Sequence, residues 1–317
     1  MLLTGSNGFV GGHIAAAARR RGWTVLGLGR QPAPATAVDQ YVRHDLGEPL
    51  TLNEAVDVVV HCAALASPWA RPEAYQRANV DATRNVLDWA EGHGTPPVHL
   101  VSSSSVFYTA ADQLNLTEQS PIPAPADQLN AYSRTKLAGE RLVGRYPGAW
   151  SVLRPRAVFG PGDTVLLPRV VAAARAGRLP HFVRRDRAPV LVDLTHVEVV
   201  AGYVCEAVAR GVTGPVNLTN GEPVQLYPFL FSLLDDLGVP RPRRHVSVGM
   251  AMALARASEI VSARLMNYAE PPITIFQPVR FISLAAGASR SICRMVGTQW
   301  EKVTPSVRRS CSSMSGT

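Results

Sequence analysis

The sequence predicts an α/β fold, in which a doubly wound parallel sheet is combined with a smaller, mainly helical C-terminal part. Short apolar runs alternate with helical stretches over roughly the first half of the chain, which is typical of a parallel sheet covered by helices on both faces. Residues 222–270 have a mainly helical pattern, with a proline-rich break at 240–242. A chain of 317 residues is also long enough to bury a large core.

Each element of the sheet follows from its own run of residues. Strands are predicted at 1–4, 24–28, 56–61, 98–102 and 150–154, and helices at 12–21, 79–91 and 132–143. The run at 56–61 is largely apolar, with valine at 56 and at 58–60, as expected of a parallel strand that is buried on both faces. After a turn at 160–163, the pattern predicts a helix at 166–176 and short strands at 189–193 and 215–218.

Composition and charge exclude several classes of protein. The formal net charge is +8, but residues 271–317 carry six basic residues and one acidic residue, so the rest is nearly balanced and nucleic-acid binding is not expected. The chain has no run of about 20 apolar residues and no evident leader, so we expect a cytoplasmic protein without a membrane span. The four cysteines lack metal-ligand spacing, so neither a metal site nor a disulfide framework is expected.

A glycine-rich turn lies between the first predicted strand and the first predicted helix. Gly5 permits a tight turn, Gly8 lets backbone N–H groups approach a pyrophosphate, and Gly11 permits close packing of helix on sheet. Because a helix N-terminus attracts phosphate, this context favours a Rossmann-type dinucleotide site over an ordinary turn. The candidate cofactor-binding residues here are Gly5, Asn7, Gly8, Phe9, Val10 and Gly11.

The second strand indicates which dinucleotide to expect. NAD sites usually end this strand with Asp or Glu, but here Gly29 stands at that position and Arg30 follows it. A guanidinium suits a 2′-phosphate, so NADP(H) is favoured, with NAD(H) and a merely solvated arginine as the alternatives. Asp45 and Leu46, after the third short strand, are further candidate cofactor contacts, although a loop or capping role fits Asp45 equally well.

Tyr132 and Lys136 stand four residues apart, on one face of a predicted helix. A nearby ammonium stabilises a phenolate and lowers the pKa of the tyrosine, so Tyr132 could protonate a carbonyl or accept a proton from an alcohol. The chain has only two lysines, and one of them stands at this spacing. By itself the pair would fit a packed aromatic and a solvated lysine equally well.

Four consecutive serines, Ser102–Ser105, end the predicted strand at 98–102. Ligands of open α/β sheets bind at the carboxyl edge of the strands, so one of these hydroxyls could stabilise a reacting oxygen. Helix capping and turn formation explain the other three hydroxyls.

Together these motifs resemble those of the extended short-chain dehydrogenases/reductases, within the NAD-dependent epimerase/dehydratase superfamily. The matching segments are TGSNGFVG at 4–11, HCAA at 61–64, NVDATRNV at 79–86, SSSSVF at 102–107, YSRTK at 132–136 and LRPRAVFGPGD at 153–163. Their order and spacing agree with the family from residue 1 to about residue 223. Segments at 166–169, 192–197, 217–223 and 270–272 are similar to the branch of 3-beta-hydroxysteroid dehydrogenases and 2-alkyl-3-ketoalkanoate reductases.

The resemblance implies roles for individual residues. The implied catalytic residues are Tyr132, Lys136, Ser103 and Asn79, and Lys136 would also bind the nicotinamide ribose. The implied cofactor neighbours are Ala63, Ala64, Pro155 and Val158, and the tentative substrate contacts are Leu65, Ser104 and Arg156. A homodimer through the helices near 80–91 and 132–143 is a further implication of the resemblance.

These inferences predict a domain division and a function. Residues 1–165 and 190–222 would form the dinucleotide-binding domain, 166–189 and 223–284 a substrate-binding cap, and 285–317 an atypical tail. We expect an NADP(H)-dependent oxidoreductase that interconverts a ketone and a secondary alcohol on a small or apolar substrate. Dehydration is not expected, because Ser104 and Ser105 stand where dehydratases carry an acid/base pair. The alternatives are a nucleotide-sugar epimerase with tightly bound NAD and a non-catalytic dinucleotide-binding sensor.

Overall fold

A seven-stranded parallel sheet forms the centre of the protein. The computed structural model describes residues 1–183, 186 and 188–271, and the backbone of 284–286. The strands of the sheet are β1 (Leu2–Thr4), β2 (Leu26–Gly29), β3 (Gln40–Arg43), β4 (Val59–His61), β5 (Val98–Val101), β7 (Trp150–Pro155) and β12 (Gly214–Leu218). Their order across the sheet is β12-β7-β5-β4-β1-β2-β3. The predicted doubly wound α/β fold is therefore confirmed.

Helices cover both faces of this sheet. The helices α1 (Phe9–Arg20) and α6 (Val197–Ala209) pack on one face, and α3 (Ala82–Gly92) and α4 (Ala131–Val143) pack on the other. Successive strand residues point to opposite faces, and accordingly Leu3 is buried beneath α1 and α6 whereas Leu2 is buried with α3. Two separate hydrophobic cores result, one on each face.

A third hydrophobic core lies in the smaller part of the protein. Its helices are α5 (Leu167–Arg175), α7 (Leu226–Asp236) and α8 (Val248–Leu265). The remaining strands are β6 (Gln113–Leu116), β8 (Val158–Phe159), β9 (His181–Val183), β10 (Leu191–Val192), β11 (Thr195–His196), β13 (Val224–Gln225), β14 (His245–Ser247) and β15 (Leu284–Ala286). They pair as β13-β10-β15-β6, β11-β8 and β14-β9.

The structure differs from the sequence predictions mainly at the ends of elements. Helix α1 begins at Phe9, three residues before the predicted start at residue 12, because the glycine turn itself leads directly into the helix. The predicted helix at 79–91 is preceded by the short helix α2 (Pro72–Gln76) and begins within a π-helical turn, Arg77–Asp81. Two 3₁₀ turns, at Ser104–Phe107 and Pro125–Asp127, were not predicted, because their sequences show no hydrophobic period.

Helix α8 of the smaller part is buried only along a stripe of small residues. Helix α8 buries the small residues Ala251, Ala255 and Ser262 and leaves larger side chains such as Met250 and Leu254 exposed. The predicted tail at 285–317 lies outside the described residues, apart from the two residues that belong to β15. The division into a dinucleotide-binding domain and a cap stays a prediction.

Candidate active site

The glycine turn has the geometry that its three glycines predict. Gly5 has a φ of +70°, and a Cβ there would lie 2.8 Å from the backbone of Ala63 at the end of β4. A Cβ at Gly11 would collide with the carbonyl oxygen of Gly5. A side chain at either position would therefore force β1, α1 and β4 apart, which explains why glycine stands there.

The N-terminus of α1 offers free backbone donors. Among the described residues, the N–H groups of Phe9 and Val10 have no hydrogen-bond acceptor, whereas the Gly8 N–H donates to the Gly5 carbonyl at 2.9 Å. No side chain caps the helix, because its N-cap residue is Gly8. Unpaired N–H groups and the helix dipole together favour an anion such as a pyrophosphate.

The Asn7 side chain is engaged elsewhere, in holding the loop after β2. Its amide donates to the Gln31 side chain and to the Ala33 carbonyl, both at 2.9 Å, and its oxygen accepts from the Ala35 N–H at 2.8 Å. The role that Asn7 can play toward a cofactor is therefore to shape this loop.

A pocket that carries two arginines and two carboxylates lies beside the ends of β2 and β3. It has a volume of about 440 Å³, and its lining residues are Arg30, Arg43, His44, Asp45 and Glu48. Sequence reasoning identified Arg30 but missed Arg43. The β2–β3 register pairs Gly29 with Arg43, so a correct strand alignment would have placed both arginines at the same edge.

Asp45 and Leu46 have structural partners. Asp45 accepts hydrogen bonds from Arg77 and from the Gly47 N–H, each at 3.0 Å, and these bonds hold the pKa of its carboxyl below the usual range, the Gly47 bond most of all. The Leu46 side chain is buried in the core, and its carbonyl accepts from Asn85. Asp45 lines the pocket at the ends of β2 and β3, whereas Leu46 belongs to the core.

Tyr132 lies near the start of α4, where Asn130 caps the helix. Its partly buried ring packs against Tyr75, with ring centroids 6.5 Å apart. The Tyr75 hydroxyl donates to the Ser67 carbonyl at 2.6 Å, and burial raises the pKa of Tyr75 above its ordinary value. The Tyr75 phenol is therefore neutral, and its hydroxyl is held in a fixed hydrogen bond.

Lys136 is buried one turn further along the same helix. Its ammonium donates to the carbonyl of Val101, the last residue of β5, at 2.9 Å. Burial lowers the pKa of Lys136 to about 8, an effect opposed in part by Cys62 and Glu140. A buried cation therefore lies at the carboxyl end of β5.

The serines follow directly at this edge. Ser103 is partly buried, and its hydroxyl oxygen accepts a hydrogen bond from the Ser105 N–H at 3.1 Å as the cap of the 3₁₀ turn. The Ser104 and Ser105 hydroxyls are buried without a hydrogen-bond partner among the described residues. The structure therefore places Ser103, Ser104 and the Lys136 ammonium at the end of one strand.

Asn79 lies in the π-helical turn and is almost fully buried. Its side chain accepts from the Leu65 N–H at 2.7 Å and donates to the Leu65 carbonyl at 3.3 Å and to the Thr135 hydroxyl at 3.1 Å. Thr135 is the neighbour of Lys136, so Asn79 connects the loop after β4 to the helix that carries Tyr132. Such π-helical turns are frequent at functional sites.

The end of β4 is held by a buried network. Thr4 and His61 are 2.7 Å apart, and His61 also contacts the Thr83 hydroxyl at 3.1 Å. Burial lowers the pKa of His61 to about 3, with a smaller contribution from Lys136. His61 is therefore neutral. It holds the Thr4 hydroxyl, whose oxygen accepts a hydrogen bond from the Ala63 N–H at the start of the Ala63–Ala64 segment.

The remaining candidate site residues lie at the end of β7 and just after it. Pro155 ends the strand, and Val158 packs partly buried beneath α6. Arg156 is buried, and its guanidinium lies 4.9 Å from the centre of the Tyr108 ring. His196, by contrast, caps α6 and packs against Phe159.

Residues 1–218 match the NAD dependent epimerase/dehydratase family. The chain belongs to this family. The match includes the glycine turn, the serines at the end of β5 and the Tyr132–Lys136 pair. Members of the family depend on a nicotinamide dinucleotide, and the glycine turn with its free helix donors fits one. The prediction of an enzyme of the extended short-chain dehydrogenase/reductase type is confirmed.

Two curated relatives and one solved structure are similar to this chain. The chain is 30% identical over 290 residues to a 2-alkyl-3-oxoalkanoate reductase of Stenotrophomonas maltophilia, with 87% of each chain covered. It is 30% identical over 256 residues to the human (Homo sapiens) sterol-4-alpha-carboxylate 3-dehydrogenase, decarboxylating, covering 76% of this chain and 68% of the relative. In fold it is similar to MoeE5 in complex with UDP-glucuronic acid and NAD, with a TM-score of 0.67, 23% identity, and 93% and 92% of the two chains covered.

Among the described residues, no group of three or more His, Cys, Asp or Glu side chains is placed to hold a metal ion. Within the same part of the chain, no helix is both long and apolar enough to cross a membrane.

Proposed function

We propose that this protein is an NADP(H)-dependent oxidoreductase that interconverts a ketone and a secondary alcohol. The observation that carries the proposal is the arrangement at the carboxyl edge of β5. There the buried Lys136 ammonium donates to Val101, Ser103 and Ser104 follow in the chain, and Tyr132 lies one helical turn before Lys136. A phenol, a cation and a hydroxyl at one strand end fit acid/base chemistry on a carbonyl oxygen.

The cofactor would lie along the carboxyl edge of the sheet. The N–H groups of Phe9 and Val10 would bind the pyrophosphate, and the Ala63–Ala64 segment, Pro155 and Val158 would border the nicotinamide half. When bound, the cofactor supplies or accepts the hydride. The proposal of NADP(H) rests on the two arginines of the pocket at the ends of β2 and β3, because Arg30 and Arg43 would pair with a 2′-phosphate.

The protein's own residues would handle the proton. Tyr132 would donate it to the carbonyl oxygen in reduction and accept it from the hydroxyl in oxidation. Lys136 would stabilise the phenolate through its charge, and Ser103 would donate a hydrogen bond to the same oxygen. Asn79 would hold the helix in place through Thr135.

The test of this proposal is turnover by the purified protein with NADPH and a panel of ketones. We expect NADPH oxidation with at least one apolar ketone, and the loss of that oxidation in Tyr132→Phe. An enzyme that is purified with bound NAD and does not oxidise added NADPH would instead support the nucleotide-sugar epimerase. Binding of the cofactor without turnover of any ketone would support the non-catalytic sensor. The homodimer stays a prediction.

A further inference from the structure

Large apolar side chains are exposed along helix α8. Nine large apolar side chains are exposed among the described residues, and six of them lie on α8 or directly after it. Their exposed fractions run from 45% for Val261 to 80% for Leu265. Single exposed apolar residues are ordinary on a protein surface, but a contiguous group indicates contact with another molecule. The six are Met250, Leu254, Ile260, Val261, Leu265 and Met266.

Helical spacing places most of these residues on one side of α8. Met250, Leu254, Val261 and Leu265 follow one another at intervals of four, seven and four residues, which is the spacing of a single stripe along an α-helix. The stripe is about 22 Å long, given the rise of an α-helix. We call this stripe, together with Ile260 at its border, the α8 outer face.

The inner side of α8 consists of small residues. Ala251, Ala255 and Ser262 are completely buried, and Ala255 packs in one cluster with Tyr108 and Leu129. An ordinary surface helix turns its larger apolar residues toward the core, whereas α8 turns them outward. Packing within the described part of the chain therefore does not account for the α8 outer face.

The charge around the α8 outer face is positive. Glu259 is the one carboxylate of α8, and it is only partly exposed. It lies four residues after Ala255 and three before Ser262, so it belongs to the inner side of the helix. Between residues 243 and 266, the exposed side chains with a permanent charge are Arg243, Arg244, Arg256 and Arg264.

These arginines distinguish between two possible partners. A second copy of this chain would contribute the same surface to a symmetric contact, so the arginines of both copies would be brought together at an unfavourable distance. An anionic phospholipid surface attracts the arginines instead. The boundary between its headgroups and acyl chains also accepts exposed apolar side chains. The charge and the apolar stripe thus favour the lipid surface.

We propose that the α8 outer face binds the surface of an anionic phospholipid membrane, with α8 parallel to the membrane plane. Leu254, Val261 and Leu265 enter the boundary between headgroups and acyl chains. Arg256 and Arg264 contact the anionic headgroups. Binding strength in this mode depends on both the buried apolar area and the attraction between charges. The inference is independent of the proposed oxidoreductase function, since it concerns the outer side of the helix.

Flotation of the full-length protein with lipid vesicles tests the apolar part of this proposal. The vesicles consist of phosphatidylcholine alone or with about 30% phosphatidylserine, and we expect wild type to bind the anionic vesicles at least about tenfold more tightly. The double variant Leu254→Gln/Val261→Gln should lose at least about tenfold of this affinity, because two apolar side chains no longer enter the lipid. Leu114→Gln, at a leucine of β6 that is 50% exposed, is the matched control and should bind as wild type.

A second pair of variants tests the charges. Arg256→Gln/Arg264→Gln should weaken binding to the anionic vesicles and reduce its dependence on salt, with the weak binding to phosphatidylcholine unchanged. Arg20→Gln, at an exposed arginine in the last turn of α1, is the control. All variants should have the melting temperature of wild type without vesicles, because the substituted side chains are exposed.

Several outcomes would overturn the proposal. One is the absence of wild-type binding to the anionic vesicles. Another is unchanged binding by Leu254→Gln/Val261→Gln, which would mean that charge alone attracts the protein. An equal loss of affinity in Leu114→Gln would show that the effect is not specific to α8. Analytical ultracentrifugation without lipid tests the second copy: a dimer that Leu254→Gln/Val261→Gln converts into a monomer would assign the α8 outer face to that contact instead.

Discussion

Glu140 and Arg154 form a buried ion pair that joins α4 to the sheet. The Arg154 Nη2 and Glu140 Oε2 atoms are 2.7 Å apart, a second bond joins Nε to Oε1 at 3.1 Å, and both side chains are 6% exposed. The Ser102 hydroxyl donates to the same carboxylate at 2.5 Å. Since Glu140 lies one turn after Lys136 on α4, the pair fixes that helix against β5 and β7.

Breaking this ion pair should destabilise the fold strongly. Glu140→Gln would leave the buried Arg154 charge uncompensated, and we expect a loss of about 3–5 kcal/mol in the free energy of unfolding, measured by urea denaturation. Asp81→Asn, which breaks the exposed pair with Arg84, should cost less than about 1 kcal/mol. Similar losses in both variants would show that the buried pair has no special role.

Tyr132→Phe should reduce the turnover number by about 10²- to 10⁴-fold, because the proton donor is removed while the cofactor contacts remain. Tyr75→Phe is the matched control. It removes the hydroxyl of the adjacent ring, which is bonded to the Ser67 carbonyl, and should leave turnover within about threefold of wild type. Steady-state kinetics with NADPH and the best ketone make the comparison. A larger effect in Tyr75→Phe would indicate that Tyr75, and not Tyr132, transfers the proton.

Lys136 should make the stability of the cofactor-free protein depend on pH. Its pKa is about 8 in the folded protein and 10.5 ordinarily, so between these values the unfolded chain holds a proton that the folded protein has released. The free energy of unfolding therefore rises with pH through this window. Below it, Lys136 is protonated in both states, and the free energy of unfolding is lowered by the full cost of burying the charge. Relative to Lys136→Met, wild type should gain about 2 kcal/mol between neutral pH and about pH 10. A difference that does not change with pH would contradict a buried, titrating lysine.

Arg30→Ala and Arg43→Ala should each weaken NADPH binding about tenfold, because each removes a cation from the pocket at the ends of β2 and β3. NADH lacks the 2′-phosphate, so its affinity should change little. Fluorescence titration of both cofactors measures the effect, with Arg20→Ala, an exposed arginine in the last turn of α1, as the control. Equal losses for NADPH and NADH would mean that the arginines do not recognise the phosphate.

Two glycine substitutions should have opposite effects. In Gly11→Ala the new Cβ would collide with the Gly5 carbonyl, so we expect loss of cofactor binding and a lower melting temperature. In Gly202→Ala, within α6, a Cβ meets no neighbour within 4 Å, and the helix should gain about 0.5–1 kcal/mol. A folded Gly11→Ala protein with normal NADPH affinity would contradict the packing inferred for the turn.

Much of the fold and part of the site follow from local sequence. Largely apolar runs such as 56–61 predict buried parallel strands, because the composition of a few neighbouring residues is enough to indicate such a strand. The glycine turn is equally local, since Gly5 requires a positive φ and Gly11 a close approach. The spacing of Tyr132 and Lys136 is fixed by the helix that carries them. These features depend on residues that are near one another in the chain.

The tertiary structure decided what depends on distant residues. Arg43 joins Arg30 only through the pairing of β2 with β3, and the sequence does not show that register. The short strands such as β8 and β13 are too brief to carry a hydrophobic period. Above all, the sequence shows two arginines at 154 and 156 without distinguishing them. Burial and the position of Glu140 on another element leave one paired and one unpaired, because the desolvation of a charge is a property of its three-dimensional surroundings.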